Sequence, residues 1–549
     1  MNKAFGGMKK HLKKQNFLGG ALVLAGAGLL VRLLGAGFRI PLANIIGNYG
    51  VGLYQMVFPF YALLLVIASS GVPVAISKMI AKEKTANNLR ECRRILFNSL
   101  VLLSVVGLLF GILFATLAGN LASLQGHEGN TKLYLAIAPA VFLVCIMAAF
   151  RGYFQGLSNM IPTAISQLIE QITKVALGIT LAILLLPRGV EWAVFGAILG
   201  TTVGEVLALS FLIFAFLLHL RRSNHPLSLD EGEGEPKTNK SRRNLALPRW
   251  LDFLLIWRIF KTALPITLLA SVFPLILVFD SFLVVRMLQT AGETAQDATR
   301  LFGISTGSVH TLVNMPAVLA IAIGLAIVPM AAKLLKQGKK EEVREKFFLS
   351  IKIIIVLALF FSLFYLIFAG EIINFVYSSA FKENPQHMPT AITLLRIESI
   401  MIFLVGLSVI FTSLLQGVDR SYLPLISLVV GGVTKIAFQL PLIPVLGIYA
   451  VSIGNILCFA IALSMNVMWT MRFMKLRPAI KKYLPIKGKI LALVAIYGGT
   501  LVALKFLLPS GKGWIILAGA VAFLVYTSTV LLLKIFPLNL FKFLRRSQK

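Results

Sequence analysis

The sequence predicts an all-α polytopic membrane protein of about fourteen transmembrane helices, with two six-helix lobes and two extra C-terminal helices. Of its 549 residues, 58% are hydrophobic and only 13% are charged, and the mean hydropathy is +0.87. A soluble protein averages about 45–50% apolar and about 25% charged residues. Apolar runs of about 20 residues, the length needed to cross a bilayer, recur along the whole chain. Lipid is therefore the expected surrounding of most side chains.

The apolar runs, bounded by charged residues, Gly or Pro, define fourteen predicted spans that we number in chain order. They are 17–40, 52–77, 95–118, 132–154, 160–186, 192–219, 257–288, 301–332, 347–369, 389–416, 421–443, 447–471, 489–508 and 513–536. The first run follows a basic segment, as the core of a signal peptide does, but it is too long for such a core. We interpret it as a retained span.

Basic residues define the expected orientation. Lys and Arg cluster in alternate loops and at both termini, whereas only four fall on the other side: Arg188, Arg300, Lys382 and Lys512. This bias predicts a multi-pass protein of the bacterial inner membrane with both termini cytoplasmic. The net charge of +32 then reflects orientation and attraction to membrane lipids, and we expect no nucleic-acid partner.

An internal repeat divides the chain. The segment Phe154–Lys174 resembles Leu415–Lys435, with the Gln-Gly pairs and the final lysines matching at a shift of 261 residues. Val72-Pro73 similarly resembles Val328-Pro329. A polar, Gly- and Pro-rich segment lies between the halves. The predicted units are an N-lobe (1–222), a cytoplasmic linker (223–256), a C-lobe (257–475), and spans 13 and 14 with a cytoplasmic tail (476–549). Because each repeat has an even number of spans, a pseudo-twofold axis along the membrane normal should relate the lobes.

Two arginines on span 1 are the first candidates for substrate binding. A charge inside a span costs about 2.5–3.5 kcal/mol at mid-bilayer on insertion scales, so such residues are informative. Arg32 and Arg39 lie nearly on one helical face, with Gly35 and Gly37 between them. The planar guanidinium suits phosphate, which predicts an anion-binding stripe facing a central cavity. The alternative is that Arg39 reaches the outer interface.

Lysines and carboxylates of other spans form the second group. Glu170 and Lys174 are spaced i, i+4 and can form a structural ion pair or serve function. Lys435 is the repeat counterpart of Lys174 without a local partner, so it needs a carboxylate from another helix or an anionic ligand. Asp280 is a candidate cation or proton site, or a counter-ion to a cavity arginine.

The remaining charged residues within spans carry more open interpretations. Arg396 and Glu398 of span 10 can line the cavity or anchor the interface. With Asp280 and Glu170, Glu398 completes the ion-coupling candidates. Glu205 is expected to be a bonded structural carboxylate, and Arg151, near a span end, to be interfacial.

Enzyme and metal signatures are missing from the sequence. The three cysteines and six histidines are scattered and form no metal-binding motif. Gly303–Gly307 matches the letters GxSxG, but it lies inside span 8 rather than on a strand–helix elbow. External loops are short, which disfavours a membrane-embedded glycosyltransferase. We therefore expect no catalytic residue, metal or cofactor. Substrate transport would then be coupled to a monovalent cation gradient or to the membrane potential.

Several motifs resemble the multidrug/oligosaccharidyl-lipid/polysaccharide exporter superfamily, and within it the stage V sporulation protein B and MurJ-type lipid II flippase branch. They are Arg32–Pro41, Ile46–Gln55, Ser69–Lys78 and Met315–Ala320 followed by Ile327–Pro329. The resemblance implies a flippase of a polyprenyl-diphosphate-linked peptidoglycan precursor, lipid II, whose diphosphate meets Arg32 and Arg39. Branch members often carry a further arginine shortly before the proline that Pro316 matches. Here the segment has none, and His310 is the candidate substitute.

The sequence leaves alternative functions open. One is a flippase for another polyprenyl-linked polysaccharide unit; another is a cation-coupled multidrug exporter. An exporter of organic cations should have a cavity dominated by carboxylates, whereas the spans, without the Lys and Arg close to their ends, contain seven Lys or Arg against four Asp or Glu. A non-transporting scaffold of the division or sporulation machinery is the third, and the cell-wall synthesis machinery is a candidate partner.

Overall fold

The computed structural model describes residues 17–86, 88–223, 251–474, 487–507, 509 and 511–536, and these contain helices and no strand. The predicted linker, apart from its ends, and both chain termini lie outside the described residues. The helices of the spans are Phe17–Ser69 with Gly71–Thr85 (spans 1 and 2), Leu89–Thr116, Thr131–Gly156, Ile161–Leu185, Val190–Ser223, Phe253–Thr290, Ala295–Phe302 with His310–Asn314 and Ala317–Lys336 (span 8), Lys340–Ile367, Met388–Glu398 with Met401–Gly417 (span 10), Tyr422–Leu446, Tyr449–Met474, Lys487–Leu507 and Lys512–Leu532.

Spans 1 and 2 are separate passes, although the helix Phe17–Ser69 is continuous along the chain. At Gly47 the backbone leaves helical geometry, with φ 67° and ψ 174°, a conformation that suits glycine. The rings of Phe38 and Tyr54 consequently lie 6.5 Å apart. A straight helix, rising about 1.5 Å per residue, would separate them by more than ~20 Å. Among the described residues, 13 helical segments are long and apolar enough to cross a membrane, and the first contains both passes, which agrees with fourteen spans.

The packing of the helices follows the repeat. In the first half, span 4 packs against spans 2, 3 and 6, and span 5 packs against span 6. In the second half, span 10 packs against spans 8, 9 and 12, and span 11 packs against span 12. Spans 13 and 14 pack on each other and outside this arrangement, where the hydroxyl groups of Tyr497 and Tyr526 donate to backbone carbonyls of span 9. The predicted fold class is confirmed.

The Gln-Gly segments end their helices in the same way. Ser158 and Asp419, which correspond at the shift of 261 residues, both adopt left-handed backbone conformations, with φ of 56° and 62°. The N–H of Ser158 donates to the carbonyl of Gln155 at 2.9 Å, and that of Asp419 donates to Gln416 at 3.1 Å. Such a left-handed residue after the last turn is a common helix C-cap. The repeat therefore extends to backbone geometry.

We predict that Gly156→Ala is strongly destabilising. A Cβ at this position would lie 2.6 Å from Cβ of Ile80 and 3.0 Å from the carbonyl oxygen of Ser77, so spans 2 and 4 would have to separate. Overpacking of this kind typically costs about 1–3 kcal/mol. Thermal unfolding of the detergent-solubilised protein measures the effect. Gly499→Ala in span 13, where nothing lies within 4 Å of the added carbon, is the control. Equal midpoints for both variants would contradict the close packing at Gly156.

Candidate functional site

A cavity of 160 Å³ lies between the two lobes. Spans 1 and 2 contribute one wall, and spans 7, 8, 11 and 12 contribute the other. Its polar and charged lining residues are Arg39, Gln55, Asp280, Thr306, His310, Lys435 and Asn455. Three predicted substrate-binding residues, Arg39, His310 and Lys435, therefore meet at one place with the predicted ion-coupling residue Asp280.

Lys435 and Asp280 form an ion pair in the wall of this cavity. The ammonium of Lys435 on span 11 contacts carboxylate oxygen Oδ2 of Asp280 on span 7, and the two residues are only 2% and 3% exposed. Of the two partners that the sequence left open for Lys435, a carboxylate from another helix or an anionic ligand, the structure has the carboxylate. The second oxygen of Asp280, Oδ1, has no hydrogen-bond partner among the described residues. The pair neutralises both charges and links the two spans.

Arg39 is the cation of the cavity for which the described residues provide no carboxylate. It is half-buried, and its guanidinium forms no ion pair within the described part of the chain. Gln55, from span 2, lines the same cavity and donates to the carbonyl of Thr306 at 2.8 Å. Because the Asp280 charge is balanced by Lys435, the cavity has a net positive charge from Arg39.

Arg32 does not line the cavity. It is exposed near the middle of span 1, together with Leu30 and Leu33, which are 52% and 50% exposed. Gly28 and Gly37, on either side of it along the helix, have no atom within 4 Å of an added Cβ. The two arginines therefore occupy different surroundings on one helix, Arg39 in the cavity and Arg32 on an open surface.

The local pair that the spacing of Glu170 and Lys174 permits is not present, and Arg151 is not interfacial. Arg151, 6% exposed, binds Glu170 through Nη2 at 2.8 Å and Ser166 through Nε at 3.1 Å. The i, i+4 spacing permits a pair, but the buried guanidinium of the adjacent helix is the partner that the fold provides. Lys174 instead lies over the ring of Phe58, with Nζ 4.2 Å from the ring centre. Phe58 lines the central cavity, so Lys174 contacts a residue of the cavity wall without lining the cavity itself.

The two charged residues of span 10, Glu398 and Arg396, lie in different surroundings. Glu398 is fully buried and accepts a hydrogen bond of 2.6 Å from the Ser452 hydroxyl, while Nδ1 of His310 lies 3.8 Å from its other oxygen. His310 thus connects the cavity lining to Glu398. Arg396 is exposed and lines none of the described cavities, a position that fits interface anchoring.

Glu205 has the buried bonded position that the sequence suggested. It is fully buried and accepts a hydrogen bond from the Tyr61 hydroxyl of span 2. Its Oε2 has no partner among the described residues. Because Tyr61 is an aromatic residue within an apolar span, no charge pattern marked it as a partner.

The lobes are joined at their outer ends, away from the basic loops. Asn44 and Asn48, on either side of Gly47, donate to the carbonyls of Val376 and Ala380 at 2.7 and 3.1 Å. Gln125, between spans 3 and 4, donates to the hydroxyl of Ser281 on span 7 at 3.1 Å. These hydrogen bonds link the two lobes beyond the turn-side end of span 1.

A cavity of 440 Å³ lies at the same outer ends. Two of its three cations, Lys132 and Arg300, are paired with Glu191, at 2.6 Å, and Asp297, and the third, Arg188, is exposed. A hydrogen bond from Thr294, with the nearby charge of Arg300, lowers the pKa of Asp297, so this carboxylate stays ionised. Because Glu383 also lines this cavity, the three cations are balanced by Glu191, Glu383 and Asp297, and the cavity has no net charge that would favour anions. No group of three potential metal ligands occurs within the described ranges.

The helical fold and the inter-lobe cavity, together with the matches that follow, place the protein in the class of membrane transporters and flippases rather than enzymes. Residues 17–335 match the family described as "Polysaccharide biosynthesis protein", and residues 303–440 match MatE. The chain belongs to the polysaccharide biosynthesis protein family and, with it, to the multidrug/oligosaccharidyl-lipid/polysaccharide exporter superfamily.

Named relatives agree with this assignment. Stage V sporulation protein B of Bacillus subtilis is 30% identical over 371 residues, 67% of this chain and 68% of that protein. Lipid II flippase MurJ of the same organism is 27% identical over 467 residues and 80% of each chain. Among solved structures, lipid II flippase MurJ in an inward closed conformation matches with a TM-score of 0.69 at 14% identity, covering 93% of this chain and 99% of that one. An inward-facing MATE family multidrug transporter matches with a TM-score of 0.65 at 15% identity, covering 84% and 99%.

Proposed function

We propose that this protein is a flippase that moves a lipid-linked anionic glycan precursor from the cytoplasmic to the outer leaflet by alternating access. The favoured substrate is undecaprenyl-diphosphate-linked peptidoglycan precursor, lipid II. One observation carries the proposal: Arg39 faces the inter-lobe cavity without a carboxylate partner among the described residues, whereas Asp280 is neutralised by Lys435. Similarity to a protein named lipid II flippase supports the choice of substrate.

The energetics of the head group explain why an unpaired arginine matters. An isolated ion in hydrocarbon has a solvation penalty of tens of kcal/mol in the Born limit. A flippase must therefore replace the water around a diphosphate while the lipid tail remains in the bilayer. Arg39 can do so through charge-assisted, bidentate hydrogen bonds. Rocking of one lobe against the other would then transfer the bound head group.

The exposed face of span 1 around Arg32 is the route by which we expect the substrate to enter. Arg32 lies between Arg39 and the N-terminal end of the span, which the basic loops assign to the cytoplasm. The outer contacts of Asn44 and Asn48 must break for release. Arg32 would attract the diphosphate from the membrane surface, and Arg39 would hold it in the cavity.

A cation-coupled multidrug exporter is the second candidate, favoured by the MatE match and by the MATE transporter structure. Such an exporter would need a free carboxylate for its organic cation. The only carboxylate lining the central cavity in the described residues is Asp280, and Lys435 occupies it. The charge of the cavity therefore favours an anionic substrate.

Binding of purified protein to defined lipids tests the function. In native mass spectrometry we expect polyprenyl-diphosphate glycans to bind to the protein. We expect propidium, an organic dication, not to bind. The charge of the cavity is the reason for this expectation. Preference for the dication would instead support the exporter.

The orientation is tested by labelling intact cells with an impermeant thiol reagent. All three native cysteines are buried, so they give a low background. Because basic loops face the cytoplasm, we expect a cysteine introduced at Ser228 in the linker to remain unlabelled until the cells are permeabilised. A cysteine at Asn384, in an outer loop, is the matched control and should react at once. Rapid labelling of the linker in intact cells would refute the orientation.

A further inference from the structure

A second cavity, of 380 Å³, lies inside the C-lobe. Its polar lining consists of hydroxyl and amide groups of spans 10, 11 and 12: Ser408, Thr412, Ser413, Gln416, Ser421 and Asn466. None of its lining residues is charged. The volume lies within the range of about 300–1,000 Å³ that is typical of small-molecule sites.

Two polar groups of this lining have unused hydrogen-bonding capacity. The Ser408 hydroxyl, in a residue 8% exposed, has no hydrogen-bond partner among the described residues. The same holds for Oδ1 of Asn466, a residue 2% exposed whose Nδ2 donates to the Thr412 hydroxyl at 3.3 Å. Buried polar atoms are normally satisfied, because leaving them unpaired costs free energy. A ligand with neutral donors and acceptors would satisfy both.

An aromatic pair separates this cavity from the central one. Phe273 of span 7 and Phe459 of span 12 line both cavities, and their ring centres are 6.3 Å apart. The central cavity, which is positively charged, thus lies next to the uncharged C-lobe cavity, and the side chains of Phe273 and Phe459 form their common wall. A molecule that occupied both would need an anionic part joined to an uncharged polar part.

We propose that the C-lobe cavity binds uncharged sugar of the lipid-linked substrate while Arg39 holds its diphosphate. This inference rests on the proposed function and adds the location of glycan recognition. Sugar hydroxyl and acetamido groups match the lining of hydroxyl and amide groups, and the faces of sugar rings can pack on Phe273 and Phe459. Gln416 and Ser421 flank the loop between spans 10 and 11, on the basic-loop side from which the precursor would enter.

The arrangement predicts that the C-lobe provides discrimination between glycans. A site built to hydrogen-bond hydroxyl groups rejects a ligand that lacks them, because its buried polar atoms then remain unpaired. The bare lipid diphosphate should therefore bind through Arg39 alone and gain nothing from the second cavity.

The test compares two probes on one protein: undecaprenyl diphosphate and the same lipid bearing a disaccharide. The variant Ser408→Val/Asn466→Leu removes the unpaired polar atoms at similar volume. We expect its affinity for the disaccharide lipid, measured in nanodiscs, to fall about tenfold or more, with affinity for bare undecaprenyl diphosphate unchanged. Ser464→Val, on the exposed face of span 12, is the control and should bind both lipids normally.

Each outcome decides the inference. Equal weakening for the two lipids, or no weakening for either, would overturn the sugar site while leaving the flippase proposal intact. Binding of neither lipid by the unmodified protein would overturn the proposed function. Ser408→Val alone keeps the Asn466–Thr412 hydrogen bond, and it should shift the affinity ratio in the same direction if the double variant does not fold.

Discussion

Replacing Asp280 with alanine is expected to destabilise the protein by about 3–5 kcal/mol, the usual cost of removing one partner of a buried ion pair. Lys435, 2% exposed, would be left with an uncompensated charge between spans 7 and 11. The measurement is the thermal unfolding midpoint of the detergent-solubilised protein, compared with that of the unmodified chain. Glu342→Gln, on the surface pair with Lys346, should leave the midpoint nearly unchanged.

A double variant separates the missing partner from other effects of the substitution. In Asp280→Asn/Lys435→Met neither charge remains, so most of the lost stability should return. If Asp280→Ala and the double variant were equally unstable, the ion pair would not be the reason for the loss. Full stability of Asp280→Ala would contradict the buried pair itself.

Most of the fold could be predicted from the sequence, because lipid imposes simple rules on helix length and loop charge. The repeat was visible as Gln155-Gly156 and Gln416-Gly417, and the matching left-handed residues that follow explain why these letters recur. The turn at Gly47 lies between the predicted spans 1 and 2, but the helices continue closer to it on both sides than the predicted bounds at 40 and 52. Span 8 begins as Ala295–Phe302 and continues past Pro316 as Ala317–Lys336, so hydropathy alone did not give its outer bound.

The candidate site was predicted only in part, because pairing across helices is not a local property of sequence. The sequence required either a distant carboxylate or an anionic ligand for Lys435, but it could not choose between these or among the acidic residues of other spans. The interfacial interpretation of Arg151 was wrong since closeness to a span end does not measure burial. The uncharged C-lobe cavity had no signal at all, because Ser408 and Asn466 are ordinary residues within apolar helices.

Arg39→Ala is expected to abolish transport and to weaken binding of the lipid diphosphate by at least about a hundredfold. Hydrogen bonds to charged groups contribute about 1.5–3 kcal/mol each, and a bidentate guanidinium makes two. Arg39→Lys keeps the charge without the planar fork, so partial loss is expected. Complementation of a strain depleted of its own flippase measures transport, and lipid binding in nanodiscs measures affinity.

Two arginine controls make this result specific to the cavity. Arg258→Ala, exposed near the start of span 7, should change neither measurement. Arg32→Ala should reduce complementation more than equilibrium binding, because Arg32 lies outside the cavity on the expected entry surface. Removing an intramembrane charge eases insertion, so normal protein levels are expected for Arg39→Ala. Normal levels together with full complementation would mean that Arg39 has no part in holding the anion.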